Sequence, residues 1–341
     1  MPPPAEPSRM NSMFQGIKEL RAAKGRTALI IITVGMITVL VTFLSSLAAG
    51  LAYQSVSALK NQLGSTEALV LQDNGVTNLS TSRLNDQQLT DIEQAGGQAL
   101  YMARDRVGSD TVILLSDPSL APGTVQVPEA LKSAAEQTYK SDTQIPNVTF
   151  TDTELYLDHQ PVILASPNLV LRLPGTSTAA TVDTSNSKAM DVVDHMKNVK
   201  VLQGKDRWNA SASYSGEQTS LNMMITLLYV ISALVLGAFF TVWTMQRLRG
   251  VAISSALGAS RKVLVADSLS QAALVLLVGI TSGVLITWVA GSFAGSAMPI
   301  VLDASTLLRP AAILAAAGIL GAAVSIKPVL SVSPRTALQS A

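Results

Sequence analysis

Cysteine is absent from this chain of 341 residues, and only 14% of its residues are charged. The lack of cysteine excludes disulfides, thiolate metal sites and thiol nucleophiles. The sequence also lacks the G-x-x-x-x-G-K-[ST], H-E-x-x-H and G-x-S-x-G motifs, which excludes a P-loop and the commonest hydrolase sites. Histidine occurs only as His159 and His195, which we interpret as surface or half-buried polar residues. We therefore do not expect an enzyme.

Four long apolar segments account for the scarcity of charge. A bilayer is spanned by ~20 predominantly apolar residues, and a polar stretch far longer than a hairpin connection separates the first segment from the second. We predict an integral membrane α-helical protein with four transmembrane helices in a 1+3 arrangement and a large extracytoplasmic α+β domain between helices 1 and 2. The first segment is about twice as long as the 7–15-residue core of a signal peptide, so we expect it to be retained.

The basic residues indicate the orientation of the chain in the cytoplasmic membrane. Lysine and arginine near helix ends stay in the cytoplasm, and they cluster before the first segment, between the second and third, and after the fourth. Acidic residues concentrate in the polar stretch instead. We therefore expect both termini in the cytoplasm and the large domain outside. The basic positions are Arg9, Lys18, Arg21, Lys24, Arg26, Arg247, Arg249, Arg261, Lys262, Lys327 and Arg335.

Apolar residues at helical spacing between Met10 and Leu20, interleaved with basic residues, predict an amphipathic helix on the inner membrane surface. A plain extension of the first span remains an equal alternative. The predicted organisation is 1–26 cytoplasmic tail and interfacial helix, 27–52 transmembrane helix 1, 53–220 extracytoplasmic α+β domain, 221–245 transmembrane helix 2, 246–262 cytoplasmic coupling helix, 263–290 transmembrane helix 3, 291–309 outer loop, 310–326 transmembrane helix 4 and 327–341 cytoplasmic tail.

Short β-rich runs bounded by turn residues alternate with helical patches in the polar stretch. We expect helix 1 to continue outward over 53–62. We predict strands at 68–71, 111–115, 148–150, 162–165 and 169–173, and helices at 86–95, 128–139 and 188–198. In the membrane, we expect small residues to let the helix backbones approach closely; they are Gly279, Gly283, Gly291, Gly295, Gly318 and Gly321.

The loop between the second and third segments contains Leu257-Gly258-Ala259-Ser260, preceded by an apolar stripe and bracketed by basic residues. Such a short helix is suited to docking in a partner's groove. This loop, the 1+3 topology and the tail Pro334-Arg335-Thr336-Ala337-Leu338 resemble the FtsX/MacB-type ABC transporter permeases. Gly250, Ser254 and Ser255 depart from the family's usual side chains. The resemblance implies ATPase coupling through Val251, Ile253, Ala256, Leu257, Gly258, Ala259 and Ser260.

Two further stretches, 64–84 and 214–221, are similar to the haem-export permeases of the HrtB and DevC kind. The resemblance implies a homodimer with two copies of a separate ABC ATPase, which binds the ATP. Haem would be the transported ligand rather than an intrinsic cofactor, and we expect no metal site and no nucleic-acid partner. Haem iron takes His, Met, Tyr or Cys as axial ligands. Candidate haem-binding residues at the outer ends of helices 1 and 2 are Tyr53, Tyr214, Glu217, Met223, Met224 and Tyr229.

Each candidate ligand also has a plainer interpretation. Tyrosine is common at membrane interfaces, and methionine fills apolar gaps. Asp191, Asp194 and His195 share one predicted helix and form a weaker alternative ligand group. Asp267 near the inner end of helix 3 is interpreted as solvated or paired with Lys262.

Three hypotheses remain open from the sequence: an ABC export permease, an FtsX-like protein that signals to an outer partner without transporting a solute, and a membrane enzyme or receptor. Substitution of Leu257 or Gly258 distinguishes the first two hypotheses from the third. Under the first two hypotheses, the substitution abolishes coupling to the ATPase, measured as the loss of permease-dependent ATP hydrolysis. Under the third, the activity of the protein is unchanged.

Overall fold

The computed structural model of the protein describes residues 24–139, 145, 147–256, 260–294 and 298–326, with backbone alone for 24, 26, 247–256 and 261. These residues divide into two compact units. The helical unit contains the described residues up to Ala49 and from Leu221 onward, and the sheet unit is Gly50–Ser220. The amphipathic helix predicted before residue 24 and the tail motif at 334–338 lie outside the described residues.

Four helices of the described chain are long and apolar enough to cross a membrane. The first continues to Gln62, as its composition predicts, and the last begins at Ala304 rather than at the predicted Pro310. The second continues without a break past Met245, so residues 246–256 extend this helix instead of forming a separate one. The four are α1 (Lys24–Gln62), α6 (Ala212–Ala256), α7 (Arg261–Ala294) and α8 (Ala304–Ser325).

Within the described residues, nine strands form the sheet of the sheet unit. They are β1 (Glu67–Gln72), β2 (Gln98–Val107), β3 (Asp110–Ser116), β4 (Thr124–Pro128), β5 (Asn147–Thr151), β6 (Tyr156–Leu157), β7 (Gln160–Ala165), β8 (Ser177–Asp183) and β9 (Val199–Leu202). The strand order is β5-β4-β7-β3-β2-β8-β1-β9, and β6 pairs with β7. The β4–β5 and β3–β7 pairs are parallel and the other pairs are antiparallel.

In the described part of the sheet unit, four short helices cover the sheet: α2 (Asp86–Gln94), α3 (Lys132–Tyr139), α4 (Pro167–Val170) and α5 (Ser187–Asp194). Single turns of 3₁₀-helix occur at Leu79–Thr81 and Glu129–Leu131, and a longer one spans Gly204–Ala210.

Both faces of the sheet are buried, because successive strand residues point to opposite sides. In β1, Leu69 and Leu71 pack in the cluster that includes Ala58 and Leu59 of α1, whereas Val70 packs among residues of α2 and α5. This double burial explains the continuous apolar runs of β1 and β3. The sheet unit therefore has its own hydrophobic core.

The predicted strand at 169–173 is wrong. Pro167 occupies the first turn of α4 after the extended residue Ser166, a position that proline's fixed φ favours in a helix. Leu169 and Val170 are then buried on one side, while Leu171 is 50% exposed. The helix predicted over 188–198 ends at Asp194, and Asn198 has a φ of 59° where the chain turns into β9.

The helical unit is held together by close approaches between helices. A methyl group placed on Gly283 of α7 would lie 2.6 Å from Thr38 Cβ and 2.7 Å from the carbonyl oxygen of Gly35, both on α1. One helical turn further along, the hydroxyls of Thr42 and Thr287 are 2.7 Å apart. Packing and interhelical hydrogen bonds of this kind associate helices in lipid, where apolar burial provides little driving force.

Gly283→Ala tests this close approach. The added methyl group must separate α1 from α7, and overpacking of this kind typically costs about 1–3 kcal/mol. We expect a lower midpoint in thermal unfolding of the detergent-purified protein. Gly237→Ala in α6 is the matched control, since its added methyl group meets nothing within 4 Å and alanine is the better helix former. Equal midpoints for the two variants would contradict the packing argument.

Candidate functional site

A two-residue turn, Asp158-His159, connects β6 to β7 in the sheet unit. Both residues have positive φ angles, 48° and 63°, as a type I′ hairpin turn requires. Aspartate is common at the first position of such turns because it tolerates a left-handed backbone, whereas the second position is usually glycine rather than histidine. The contacts that this turn makes must therefore offset a local backbone cost.

The backbone of the turn is bound to α1. The Asp158 amide donates a hydrogen bond to the carbonyl of Ser55 (3.1 Å), and the His159 amide donates to the carbonyl of Gln54 (3.0 Å). Beside the turn, the Tyr156 amide donates to the hydroxyl oxygen of Ser57 (2.8 Å). The β6–β7 hairpin is thereby fixed to the Gly50–Gln62 end of α1.

The Asp158 side chain binds the first turn of α6. Its Oδ1 accepts hydrogen bonds from the hydroxyls of Ser211 (2.6 Å) and Ser213 (3.1 Å) and from the Ser213 amide (3.3 Å). The first amides of a helix have no partner within the helix, and the helix dipole favours negative charge there. Asp158 is therefore an N-terminal cap supplied to α6 by the sheet.

The His159 imidazole joins α1 and α6 within the same unit. Its Nε2 lies 2.8 Å from Glu217 Oε1, and its Nδ1 lies 3.4 Å from Gln54 Oε1. A carboxylate only accepts hydrogen bonds, so Nε2 donates to Glu217. The side chains of His159 and Glu217 are 31% and 36% exposed. The second carboxylate oxygen, Glu217 Oε2, is buried and has no hydrogen-bond partner.

The rings of Tyr53 and Tyr156 lie close together, with centroids 6.3 Å apart. Tyr53 donates its hydroxyl to the carbonyl of Glu154 (2.7 Å), and Tyr156 donates to the carboxylate of Glu154 (2.8 Å). Burial, reinforced by the Glu154 carboxylate, raises the pKa of Tyr156 to about 12. Tyr156 therefore remains a neutral phenol at physiological pH.

The candidate haem-binding residues are divided between the two units. Tyr53, Tyr214 and Glu217 belong to the sheet unit, and the Tyr214 amide donates to Ser211 Oγ (3.2 Å). In the helical unit, Met223 and Met224 are 70% and 53% exposed on α6. Tyr229, further along α6, shares a side-chain hydrogen bond with Ser45.

The other candidate groups are placed as follows. His195 Nδ1 lies 3.4 Å from Asp191 Oδ1 on the solvent-exposed side of α5, and Asp267 accepts a hydrogen bond from the side chain of Gln271 (3.0 Å). Among the described residues, no group of three or more His, Cys, Asp or Glu side chains is arranged to hold a metal ion.

The candidate coupling residues lie around the end of α6. The helical backbone of α6 includes Val251, Ile253 and Ala256, while Leu257, Gly258 and Ala259 are outside the described residues. The Ser260 carbonyl accepts hydrogen bonds from the amides of Val263 and Leu264 in the first turn of α7.

Asp158 and His159 are the site residues that sequence reasoning missed. The available signal was a polar pair, Asp-His, two residues before the apolar strand predicted at 162–165. It lacks the Asn-Gly or Asp-Gly composition typical of a two-residue hairpin, and the partners of both side chains are distant along the chain.

Part of the chain matches a known family model. Residues 222–334 match the family model described as FtsX-like permease C-terminal, a range that begins on α6 and extends through α7 and α8. The chain therefore carries an FtsX-like permease domain, and the resemblance to FtsX/MacB-type ABC permeases is confirmed.

The chain is also homologous to particular haem-related permeases. It is 29% identical, over 94% of its length and 97% of the relative's, to a protein of Staphylococcus haemolyticus with the provisional name hemin transport system permease protein HrtB. A protein of the same name from Staphylococcus epidermidis is 23% identical over 85% of this chain and 89% of its own length.

Asp158→Ala tests the cap on α6. Loss of an N-terminal cap typically costs about 1 kcal/mol, with a range of 0.5–2, and the strained turn loses the contact that fixes it. We expect faster hydrogen exchange at the amides of 211–217 and a lower unfolding midpoint. Asp152→Ala, which removes an exposed carboxylate from the same region, is the control. Unchanged exchange at 211–217 would contradict the assignment of Asp158 as the cap.

Proposed function

We propose that this protein is the permease subunit of an ABC efflux transporter that exports a lipophilic substrate, haem, from the membrane. A separate ABC ATPase hydrolyses the ATP, and the permease itself is not catalytic. The functional assembly is a permease homodimer with two ATPase subunits. The observation that carries the proposal is the homology to the hemin transport permease of S. haemolyticus across nearly the whole of both chains.

The proposed orientation in the cell membrane follows from charge. The four apolar helices cross the bilayer in a 1+3 order, with the sheet unit outside the cell and both termini in the cytoplasm. Basic residues near helix ends remain on the cytoplasmic side, and the connection between α6 and α7 has Arg247, Arg249, Arg261 and Lys262. An even number of spans places both termini on one side.

The proposed transmission of force uses the length of α6. This single helix of 45 residues includes both the candidate coupling positions up to Ala256 and the candidate substrate positions from Tyr214 to Tyr229. At a rise of ~1.5 Å per residue it is about 68 Å long. ATP-driven closure of the ATPase dimer pushes on the coupling end, and α6 shifts along its length.

The proposed substrate interactions combine soft and hard donors. Met223 and Met224 are exposed on α6 and offer thioether sulfur to haem iron. Tyr53, Tyr214, Glu217 and Tyr229 are the candidate oxygen donors. Haem is a flat apolar molecule with two carboxylates, which suits release from the outer half of the bilayer.

An FtsX-like mechanical role is the alternative. One observation favours it: the first turn of α6 is capped directly by Asp158 of the sheet. In this role, a displacement of the first turn of α6 displaces Asp158 and the β6–β7 hairpin, and the sheet unit acts on an outer partner without any solute being transported.

Titration of the detergent-purified full-length protein with haemin tests the transport proposal. We expect a saturable shift of the Soret band that haemin in empty micelles does not show. Met223→Leu combined with Met224→Leu should weaken binding about tenfold, because the sulfur ligands are lost while the apolar area is kept. Leu234→Ala, at an exposed position of the same helix, is the control and should leave the titration unchanged.

A spectrum identical to that of haemin in empty micelles would overturn the haem assignment. Stimulation of the partner ATPase by haemin in proteoliposomes would then also be absent, and the mechanical alternative would be favoured.

A further inference from the structure

The His195 imidazole at the end of α5 has one nitrogen bound and the other free. Its Nδ1 lies 2.8 Å from the Asp191 carbonyl oxygen and 3.4 Å from Asp191 Oδ1. Both oxygens accept hydrogen bonds, so the neutral imidazole has its proton on Nδ1 and its lone pair on Nε2. Among the described residues, Nε2 has no hydrogen-bond partner, and the side chain is 79% exposed. The lone pair of Nε2 is therefore accessible to a metal centre.

The contacts with Asp191 also strengthen His195 as a ligand. The hydrogen bond to the Asp191 carbonyl, reinforced by the Asp191 carboxylate, raises the pKa of His195. Histidines that bind metals almost always donate their other nitrogen to a carbonyl or carboxylate, which fixes the ring and raises its basicity. The His195 amide donates to the same carbonyl at 3.2 Å, so the ring is tied to the last turn of the helix.

The imidazole lies at an open cleft between α2 and α5. The cleft has a volume of about 450 Å³, within the range of ~300–1,000 Å³ that small-molecule sites occupy. Asp91 lines it from α2. The α5 side presents residues at spacings of three and four, which form one face of a helix. They are Lys188, Asp191, Val192 and His195.

The cleft combines an apolar surface with one free cation. Ala95 is buried, and Val192 and Met196 pack against the hydrophobic cluster beneath it. Among the described residues, Lys188 forms no ion pair. A bare metal ion does not suit this site, because no group of three or more ligating side chains is present in the described chain. An iron porphyrin does, since the ring supplies the equatorial nitrogens and the protein supplies an axial ligand such as histidine.

We propose that this cleft is a second haem-binding site, contained within the sheet unit: His195 Nε2 binds the iron of a ferric porphyrin, and Lys188 pairs with one of its carboxylates. The inference rests on the proposed haem export and adds a place where the exported molecule is held outside the membrane. Because Asp91 and Asp191 repel the carboxylates of the ligand, Lys188 determines their direction. The open side of the cleft leaves the porphyrin accessible to an acceptor.

Haemin titration of the detergent-purified full-length protein tests this site against haemin in empty micelles. We expect two classes of site, one dependent on Met223 and Met224 and the other on His195. After reduction, haem at the second site should show the iron–histidine stretching band in its resonance Raman spectrum. His195→Ala should abolish this band and the binding of one haemin equivalent. Met223→Leu combined with Met224→Leu should retain the band.

His195→Gln separates iron binding from the structural role of the imidazole. Its side-chain amide can still donate to the Asp191 carbonyl but offers no nitrogen lone pair. It should lose the band as His195→Ala does, with the unfolding midpoint of the unsubstituted protein. His159→Gln is the matched control: His159 Nε2 is already bound to Glu217 Oε1 at 2.8 Å, so this variant should keep the band.

Lys188→Gln tests the cleft rather than the histidine alone. It should weaken haemin binding at the His195 site about twofold to fivefold, as the loss of an exposed ion pair does, and leave the Raman band in place. Lys197→Gln is its control, since Lys197 is exposed in the same unit and does not line the cleft. Equal affinities for the two lysine variants would reduce the site to an exposed histidine and overturn the proposal.

The remaining outcomes distinguish this site from the proposed transport. Retention of the band in His195→Ala, or haemin binding by the unsubstituted protein without the band, would overturn the second site while leaving haem export standing. A His195-dependent site in a protein whose titration is unaffected by the methionine substitutions would support the second site and overturn methionine ligation. Absence of haemin binding by the unsubstituted protein would overturn both.

Discussion

The sheet unit depends on a turn in which His159 occupies a left-handed position that glycine usually takes. Asp158 and His159 both have left-handed backbone conformations, and the hairpin keeps this geometry because each residue is bound outside it. The two amides are bonded to α1 carbonyls, and the two side chains are bonded to α6. The same contacts that stabilise the turn therefore fix the ends of two helices to one sheet. Because they are shared, a displacement of either helix end disturbs the turn, the cap on α6 and the carboxylate of Glu217 together.

A different constraint governs the helical unit. Lipid tails are as apolar as leucine, so burial of apolar side chains does little to bring membrane helices together. Here the contact of α1 with α7 relies on the absence of side chains at Gly35, Gly279 and Gly283 and on the hydroxyl pair Thr42 and Thr287. The absence of a side chain at Gly318 likewise leaves room for the Leu276 side chain where α8 packs on α7. Close backbone approach gives dispersion contacts that longer side chains would prevent.

The elements that could be predicted from the sequence are those whose signal is local. Continuous apolar runs predicted the four long helices and strands β1, β3 and β7, because burial on both faces leaves no polar positions to interrupt them. Strand β2, Gln98–Val107, was missed because its second half contains three charged residues, Arg104, Asp105 and Arg106, which interrupt the apolar run. Strand β8, Ser177–Asp183, was missed because it consists mainly of small residues. The run at 169–173 has strand composition, but Pro167 and the burial of Leu169 and Val170 favour a helical turn instead.

The candidate site shows the opposite case, in which the decisive interactions are long-range. The sequence singled out Glu217 and Tyr214 because they precede an apolar helix, and it treated His159 as an ordinary polar residue. Nothing local distinguishes His159 from His195: each has an aspartate nearby in the sequence. What differs is the fold, which brings Gln54 and Glu217 to opposite nitrogens of one imidazole and leaves the other exposed beside Asp191. A histidine bound on both sides transmits the position of one helix to a side chain of another. The contacts of His159, rather than its sequence context, therefore connect the sheet to the proposed movement of α6.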